Sequence, residues 1–455
     1  MTAIESFAQF VTFAEIPDRA LAIARDAIQD TVGVMLAGLA EPSTRILQTV
    51  ARAECPDGPA SIIGTPMTTG AGWAALVNGT AAHALDFDDM CWVTLAHPSA
   101  PLVAAGLAVG EVVGGSGRTL LESYVAGFEV EAVLGQAMNP SHYARGWHST
   151  STIGSVGATA VAARIMGLDT DATGRALSIA ASEASGLKEN FGTMVKPLQA
   201  GLAARNGVLA AALAQEGLTA SEHAIDGAQG FLIAMGSERD NLGEPLAHLG
   251  RRWEIIDGGI TVKLYPSCAA THPTIDTLLD LRREHSIEPS AIEAVNIAVD
   301  AVTPTVLIYD QPTTGLEGKF SLQFCAAAAL VHGRVGIDTF ELPGLDDPAV
   351  RCLQPLVTMV VDETLGKTAP PLTQAHVQVR LRDGRQIERS ANGARGYPHN
   401  PVTRDELDGK FRDCAARAVP TRTIADALDL LRTLPAAGDV RSLGEVLAGT
   451  AVGSP

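Results

Sequence analysis

Apolar residues recur at helical spacing through most of the first half of the chain. From Asp18 onward they repeat every three or four positions, at Leu21, Ala24, Ile28, Val32, Met35 and Leu39. This repeat predicts an amphipathic helix with Pro17 in its first turn. Ala- and Leu-rich stretches between Gly or polar breaks predict further helices over 102–113, 120–134, 155–166, 176–184 and 200–214. The first half is therefore predicted to be all-helical.

The pattern changes after Trp253, where β-branched residues become frequent over 253–266. Apolar residues then alternate with other residues, as on a strand, at Val295, Ile297 and Val299 and again at Val377, Val379 and Leu381. The dipeptide Asp383-Gly384 suits a hairpin turn, after which 385–388 returns as a second strand. This part of the chain is therefore predicted to form a small α+β domain.

Helical spacing returns after residue 401, with an apolar stripe at Leu407, Phe411, Cys414 and Ala415. A chain of 455 residues exceeds the size at which a single core usually stops growing, so we expect two domains. We predict a mainly α fold. Its large all-helical domain comprises 1–262 and 402–455, and its smaller α+β domain comprises 263–401.

The charge of the chain limits its partners. A formal net charge of -18 without an evident basic patch argues against binding to nucleic acid or to an acidic membrane. An anionic substrate remains compatible with this charge if a few cations converge in a cleft. Apolar stretches such as 101–114 are interrupted before they reach spanning length, and no secretory signal is visible. We expect a soluble, cytoplasmic protein.

Motifs for cofactors are missing from the sequence. The six cysteines form no C-x-x-C pair, which argues against disulfide, zinc and iron–sulfur sites and favours reduced thiols. The sequence also lacks a Walker loop, a G-x-G-x-x-G after a strand, a G-x-S-x-G elbow and an H-E-x-x-H pair. We predict no metal and no organic cofactor, so the chemistry must rest on side chains alone.

The segment 83–99 packs three carboxylates and two imidazoles into a short stretch between helical regions. Histidine moves protons near neutral pH, and a neighbouring carboxylate orients it, so Asp86 and His97 are a candidate acid/base pair. The alternative is a set of helix caps. In that interpretation Asp88 or Asp89 caps one helix, and His97 belongs to the start of the next.

Two further segments carry candidate residues before predicted helices. In 145–151, hydroxyls such as Ser149 and backbone N–H groups suit a substrate carboxylate, with Arg145 and His148 beside them. The alternative for His148 is a hydrogen-bonded structural histidine. In 192–198, a desolvated Lys196 would bind a carboxylate or act as an acid/base group, whereas the alternative is a solvated loop lysine.

A fourth segment, 263–273, falls where the helical pattern gives way to the α+β pattern. Clefts between domains are common ligand sites, so Lys263 and His272 are candidates to close over an anion. The alternative is a surface lysine at a strand end and a histidine at a helix start.

Taken together, these stretches resemble the MmgE/PrpD family, which contains 2-methylcitrate dehydratase, cis-aconitate decarboxylase and iminodisuccinate epimerase. The resemblance covers almost the whole chain, in the order 16–33, 83–99, 127–130, 146–148, 190–201, 263–273, 318–324 and 397–411. It implies a helical domain built from both chain ends, an α+β lid inserted between them, an active site in the cleft and a homodimer. It also implies metal- and cofactor-free acid/base chemistry on a di- or tricarboxylate, with active-site residues at Asp86, His97, His148 and Lys196.

The resemblance does not single out one reaction. Dehydration of a 2-methylcitrate-like hydroxy acid is the first expectation, and epimerisation of an iminodisuccinate-like dicarboxylate is the second. Decarboxylation of the cis-aconitate type ranks lower, because that branch has Thr where this chain has Met90 and Tyr where this chain aligns Phe324. Thr94 is the nearby hydroxyl that would have to replace the missing Thr. A dimeric carboxylate-binding protein without catalysis is the non-enzymatic alternative.

Overall fold

A computed structural model describes residues 1–367 and 373–448 of the chain. The helices within these ranges are α1 Ala3–Phe13, α2 Asp18–Ala37, α3 Pro42–Glu54, α4 Ala71–His83, α5 Ser99–Val113, α6 Gly117–Met138, α7 Ser141–Ala144, α8 Ser149–Ile165, α9 Thr170–Glu183, α10 Val195–Gln215, α11 Phe231–Ala234, α12 Gly243–His248, α13 Glu254–Asp257, α14 His272–His285, α15 Thr303–Val306, α16 Gly315–Gly318, α17 Leu322–His332, α18 Pro348–Leu353, α19 Arg404–Ala415, α20 Thr421–Arg432 and α21 Arg441–Leu447. The strands are β1 Ala60–Ser61, β2 Thr68–Thr69, β3 Ile292–Val299, β4 Val357–Val361, β5 Gln374–Leu381 and β6 Gln386–Asn392. The predicted mainly α fold with a smaller α+β part is confirmed.

The chain divides into two compact units. Unit 1 comprises Met1–Ile260 and Thr403–Pro455, and unit 2 comprises Thr261–Val402. The predicted segment 402–455 extends beyond the described residues at 449–455. No helix in the described part of the chain combines the length and the apolar character that a membrane crossing requires.

Unit 1 is a helical assembly with two clusters of buried apolar residues. The predicted stripe of the last segment is confirmed, because Leu407, Phe411, Cys414 and Ala415 are all buried on α19. This helix packs on α2 from the other end of the sequence. A Cβ at Gly33 of α2 would lie 3.1 Å from the Phe411 ring, so the two helices approach closely there. Unit 1 therefore joins the two ends of the chain.

The predicted helices of the first half are confirmed, but several begin earlier than predicted. Helix α2 starts at Asp18, and Pro17 is its N-cap and not part of its first turn. Helices α5, α6, α8, α9 and α10 start three to six residues before the expected positions. Their first turns are small or polar, as at Ser149 and Lys196, so they lack the apolar repeat by which the helices were recognised. A side-chain cap marks the starts of α6 and α9, where Ser116 accepts from Thr119 N and Asp169 accepts from Ala172 N.

Helices α4 and α10 pack closely because glycines face each other between them. A Cβ at Gly79 would lie 2.9 Å from Gly201 Cα, and a Cβ at Gly201 would meet Thr80. Such contact leaves no room for any side chain larger than hydrogen. It brings the end of α4, at His83, beside the start of α10, at Lys196.

Unit 2 contains a four-stranded sheet in the order β4-β3-β5-β6. Strand β3 pairs in parallel with β4 and antiparallel with β5, and β5 pairs antiparallel with β6. The alternating residues Val295 and Val379 are buried partners, and α14 and α17 contact the sheet. The predicted hairpin at Asp383-Gly384 is confirmed, with Gly384 at a φ of 90° that favours glycine. The β-branched run 253–266 contains no strand and begins instead with α13.

Candidate active site

The candidate site lies in unit 1, where one helix ends and others begin. His83 is the last residue of α4, His148 directly precedes α8, and Lys196 is in the first turn of α10. The loop between α4 and α5 supplies Asp86, Asp88 and His97. The positive ends of the α8 and α10 dipoles therefore lie in the same region as a set of ionisable side chains.

A continuous series of contacts joins two carboxylates through an imidazole and an ammonium. Asp88 Oδ2 lies 2.8 Å from His83 Nδ1, and His83 Nε2 lies 2.9 Å from Lys196 Nζ. Lys196 Nζ also donates to Asp86 Oδ1 at 3.1 Å. All four side chains are buried, so the alternative of Lys196 as a solvated loop lysine is wrong.

His97 lies between the same two carboxylates. Its Nε2 is 3.6 Å from Asp86 Oδ1, and its Nδ1 is 3.4 Å from Asp88 Oδ1. Its ring meets that of His83 edge-on, with centroids 4.5 Å apart. A carboxylate oxygen near each nitrogen favours the positively charged imidazolium of His97 by charge attraction.

These contacts define a set of protonation states. Burial raises the pKa of Asp88, but the pairing with His83 and His97 outweighs it and holds that pKa well below its usual range. Burial lowers the pKa of His83, which leaves this ring neutral. Neutral His83 can donate from Nδ1 to Asp88 and accept at Nε2 from Lys196. The negative charges of Asp86 and Asp88 are then balanced by Lys196 and His97.

His148 lies on the other side of His83. The two rings stack with centroids 5.8 Å apart, and the His148 ring also meets the edge of Phe191 at 5.0 Å. Its Nδ1 is 2.6 Å from Gln199 Oε1. Burial, and next the positive charge of Lys196, hold the pKa of His148 well below its usual value. His148 is therefore a neutral imidazole near neutral pH.

The loop that carries the carboxylates is held from the far end of the chain. Asp86 has a φ of 51°, which is unusual for a residue with a side chain. Lys410 on α19 donates to the Phe87 carbonyl at 2.8 Å and lies 4.1 Å from the centre of the Phe87 ring. Lys410 is itself paired with Asp30 of α2 at 2.8 Å. The backbone between Asp86 and Asp88 is thus tied to α2 and α19.

The alternative that residues of the segment 83–99 act as helix caps fits one residue, Asp89. Its carboxylate accepts from Ser99 N at 3.3 Å and from Ser99 Oγ, at the start of α5. Burial raises the pKa of Asp89 to about 8. The Thr94 hydroxyl donates to the Cys91 carbonyl at 3.0 Å, within the same loop. The Thr94 hydroxyl therefore stabilises the loop. Among the described residues, it makes no hydrogen bond to an imidazole of the cluster.

The remaining candidates of unit 1 differ in their surroundings. Ser149 is fully buried next to His148, and no described residue hydrogen-bonds its Oγ. Arg145 is exposed at the end of α7, and its side chain packs against Gly236. The structure thus keeps Ser149 at the site and directs Arg145 elsewhere.

Three candidates belong to unit 2. Lys263 is fully buried, so a surface position at a strand end is wrong for it. His272 starts α14, with its Nε2 3.2 Å from the Ser267 carbonyl and its ring 5.1 Å from that of Tyr265. Phe324 is fully buried on α17, and its ring packs at 5.7 Å from Phe340. This places Phe324 in the apolar core of its own unit.

Sequence reasoning did not select four residues that the structure joins to the site: His83, Asp88, Gln199 and Lys410. His83 and Asp88 lie in the segment 83–99 that the sequence did single out. His83 was counted among the imidazoles of that segment but was assigned no role. Gln199 follows Lys196 by three positions, so both lie on one face of α10, and that spacing is a usable signal. Lys410 is 323 positions from Phe87, a separation for which a single sequence contains no signal.

The cluster also has the donor set of a metal site. His83, Asp86, Asp88 and His97 each offer one ligand atom, and these atoms lie within 4.8 Å of one another. However, the Lys196 ammonium already bonds His83 Nε2 and Asp86 Oδ1. A cation at the same place would have to displace this ammonium and meet its repulsion. The residues therefore do not fit a resident metal ion.

Comparison with known proteins gives matches over both units. Residues 2–242 match the model of the MmgE/PrpD N-terminal domain, and residues 265–433 match that of the MmgE/PrpD C-terminal domain. The cis-aconitate decarboxylase-like protein of Aspergillus oryzae is 29% identical over 87% of this chain and 86% of its own length. The cis-aconitate decarboxylase of Homo sapiens is 26% identical over 98% of this chain and 94% of its own length. The cis-aconitate decarboxylase of Aspergillus terreus is 25% identical over 95% of this chain and 92% of its own length.

Proposed function

Because this chain belongs to the MmgE/PrpD family, we propose that it is a lyase that acts on a small polycarboxylate by acid/base catalysis. The observation that carries the proposal is the position of His97 between Asp86 and Asp88, beside Lys196 and near neutral His148. One imidazole is arranged to give a proton and another to take one. Such a division between acid and base is what an elimination next to a carboxylate requires.

The proposed reaction is dehydration. His148 removes the proton on the carbon next to a substrate carboxylate, and Lys196 stabilises the negative charge that develops on that carboxylate. His97 donates a proton to the hydroxyl on the neighbouring carbon as the C–O bond breaks. A C–H bond and a C–O bond are lost, a C=C bond forms, and water leaves. Asp86 and Asp88 keep His97 charged until it donates.

Decarboxylation of a cis-aconitate-like acid is the second candidate. It is favoured by the names of the relatives in Aspergillus and Homo sapiens. Met90 and Phe324 argue against it, since neither side chain can replace the hydroxyl that the resemblance places there. The Thr94 hydroxyl already donates to Cys91, and Phe324 lies in an apolar core. Dehydration is therefore placed first.

Proton NMR in deuterated buffer tests the proposal with citrate-like, aconitate-like and aspartate-derived acids. Loss of a hydroxy acid with growth of a vinylic signal is the expected result. Loss of a carboxyl group from an unsaturated acid would replace dehydration by decarboxylation. Deuterium exchange with a change of diastereomer alone would replace the lyase by an epimerase. Absence of any change with every acid, at high enzyme concentration, would contradict an enzyme of this class.

We further expect turnover to be independent of metal ions. Lys196 already bonds two of the four possible metal ligands described above, His83 and Asp86. Dialysis against EDTA should therefore leave the rate unchanged within about two-fold. Added Zn²⁺ should inhibit, since it competes with the ammonium for His83 and Asp86. The measurement is the NMR rate before and after chelation, with metal content determined in parallel. A rate that falls with the metal content and returns with one divalent ion would refute this expectation.

A further inference from the structure

The hydrogen bonds around Gln199 determine which nitrogen of His148 carries the proton. We propose that Gln199 is a positioning residue that holds His148 as the Nδ1–H tautomer, so that Nε2 presents the lone pair that accepts the substrate proton. This inference rests on the proposed function, because it assigns the basic atom for that reaction. It adds a residue that acts through His148 and does not itself touch the reacting atoms.

The orientation of the Gln199 amide follows from its two hydrogen-bond partners. Its Nε2 donates to the Leu187 carbonyl at 3.1 Å, and a carbonyl oxygen can only accept. The amide oxygen Oε1 therefore faces the other way, toward His148 Nδ1 at 2.6 Å. An amide oxygen cannot donate, so the hydrogen of this bond must belong to Nδ1. In a neutral imidazole the lone pair is then on Nε2.

The surroundings of Gln199 and His148 hold this arrangement in place. Gln199 is only 4% exposed, and its backbone carbonyl accepts from Ser151 Oγ at 3.1 Å. The backbone N of His148 donates to the Gly186 carbonyl at 3.0 Å. Consecutive carbonyls, those of Gly186 and Leu187, thus hold the backbone of the histidine and the amide of the glutamine. The Gln199 amide therefore cannot turn over without losing its bonds to both Leu187 and His148.

The two neighbouring histidines have different partners. Both nitrogens of His83 are engaged, with Asp88 at 2.8 Å and with Lys196 at 2.9 Å. Both nitrogens of His97 face carboxylates. Of the three imidazoles, His148 is therefore the one whose partners leave it neutral with a lone pair at Nε2. The contact with Gln199 is what separates the base from the acid in this cluster.

The tautomer is measured directly by long-range ¹H–¹⁵N NMR of protein labelled with ¹⁵N-histidine, with His148→Asn used to assign the signals. In the unsubstituted protein, Nε2 of His148 is expected to resonate as an unprotonated nitrogen and Nδ1 as a protonated one. Gln199→Met replaces the accepting amide by an apolar side chain of nearly equal size. We expect the Nδ1–H tautomer of His148 then to be no longer the main one. Gln199→Glu retains an acceptor and should retain the tautomer. Gln215→Met, at the exposed end of the same helix, is the matched control.

Kinetics separate positioning from a purely structural role. Both substitutions lose the donor to Leu187, so a purely structural role predicts equal damage in the two variants. We instead expect Gln199→Met to lower kcat/KM at least about ten-fold, because the base is in the wrong tautomer. Gln199→Glu places a carboxylate beside His148 and raises its pKa, so the acidic limb of the kcat/KM profile should move to higher pH.

The possible failures are distinguishable. An Nε2–H tautomer in the unsubstituted protein, or an unchanged tautomer in Gln199→Met, would overturn the role of Gln199 whatever the activity. The tautomer of His148 is measured without substrate, and turnover is measured separately. Absence of turnover would therefore contradict the proposed lyase without affecting the result for the tautomer. Should Gln199→Met fail to fold, the tautomer of His148 in the unsubstituted protein still decides, and the acidic limb in Gln199→Glu tests whether His148 is the base. An acidic limb that stays in place would refute the proposal.

Discussion

The His97→Asn variant is expected to lose elimination by about 10²- to 10⁴-fold while it retains its fold. Asparagine keeps a hydrogen-bonding side chain between Asp86 and Asp88 but cannot give a proton to a leaving hydroxyl. Proton removal by His148 does not need this group. The variant should therefore still exchange the substrate C–H for deuterium, and His148→Asn should lose both exchange and elimination. Both rates are read from the same NMR experiment.

His223→Asn is the matched control for this prediction, because the His223 side chain is 58% exposed. It should keep the rate of the unsubstituted protein. Elimination in His97→Asn within about three-fold of that rate would contradict the role of His97 as the acid. Loss of exchange together with elimination would assign His97 to proton removal, and the proposed division between acid and base would then be wrong.

The sequence predicted elements wherever packing repeats along the chain. The apolar repeat in the first half of α2 and the alternation of β3 and β5 were recognisable because one side is buried there. The starts of α8 and α10 were not recognisable in this way. Their first residues, Ser149 and Lys196, face a polar cluster and so do not follow the apolar repeat. The boundaries failed at the helix starts that carry the candidate site.

The candidate site was predictable only as far as its residues are close in sequence. The segment 83–99 has an unusual density of His and Asp, so Asp86 and His97 were selected from spacing alone. The contact between His83 and Lys196 spans 113 positions, and it depends on the approach of α4 and α10 at Gly79 and Gly201. Such a contact follows from tertiary packing, for which a single sequence has no periodic signal. The contact between His83 and Lys196 therefore required the structure.

Replacement of Lys196 is expected to have the largest effect on stability. Lys196→Met removes the cation that pairs with Asp86 at 3.1 Å, and both side chains are buried. Loss of one partner of a buried ion pair costs about 3–5 kcal/mol, because the other charge is left uncompensated. The melting temperature should fall, and elimination should be lost with it. Lys367→Met, at an exposed position, should change neither.

The double variant Lys196→Met/Asp86→Asn separates the two effects. With the carboxylate replaced by a neutral amide, no uncompensated charge remains, so most of the lost melting temperature should return. Elimination should not return, because the developing charge on the substrate still lacks its cation. Differential scanning calorimetry and the NMR rate, measured on the two single variants and the double variant, test this separation. If activity recovered with stability, the loss in Lys196→Met would be one of folding, and the ammonium would have no direct role in the reaction. Asp86 lies in this loop with a φ of 51°. If stability did not recover, the ion pair of Asp86 with Lys196 would not be the interaction by which Lys196 stabilises the loop.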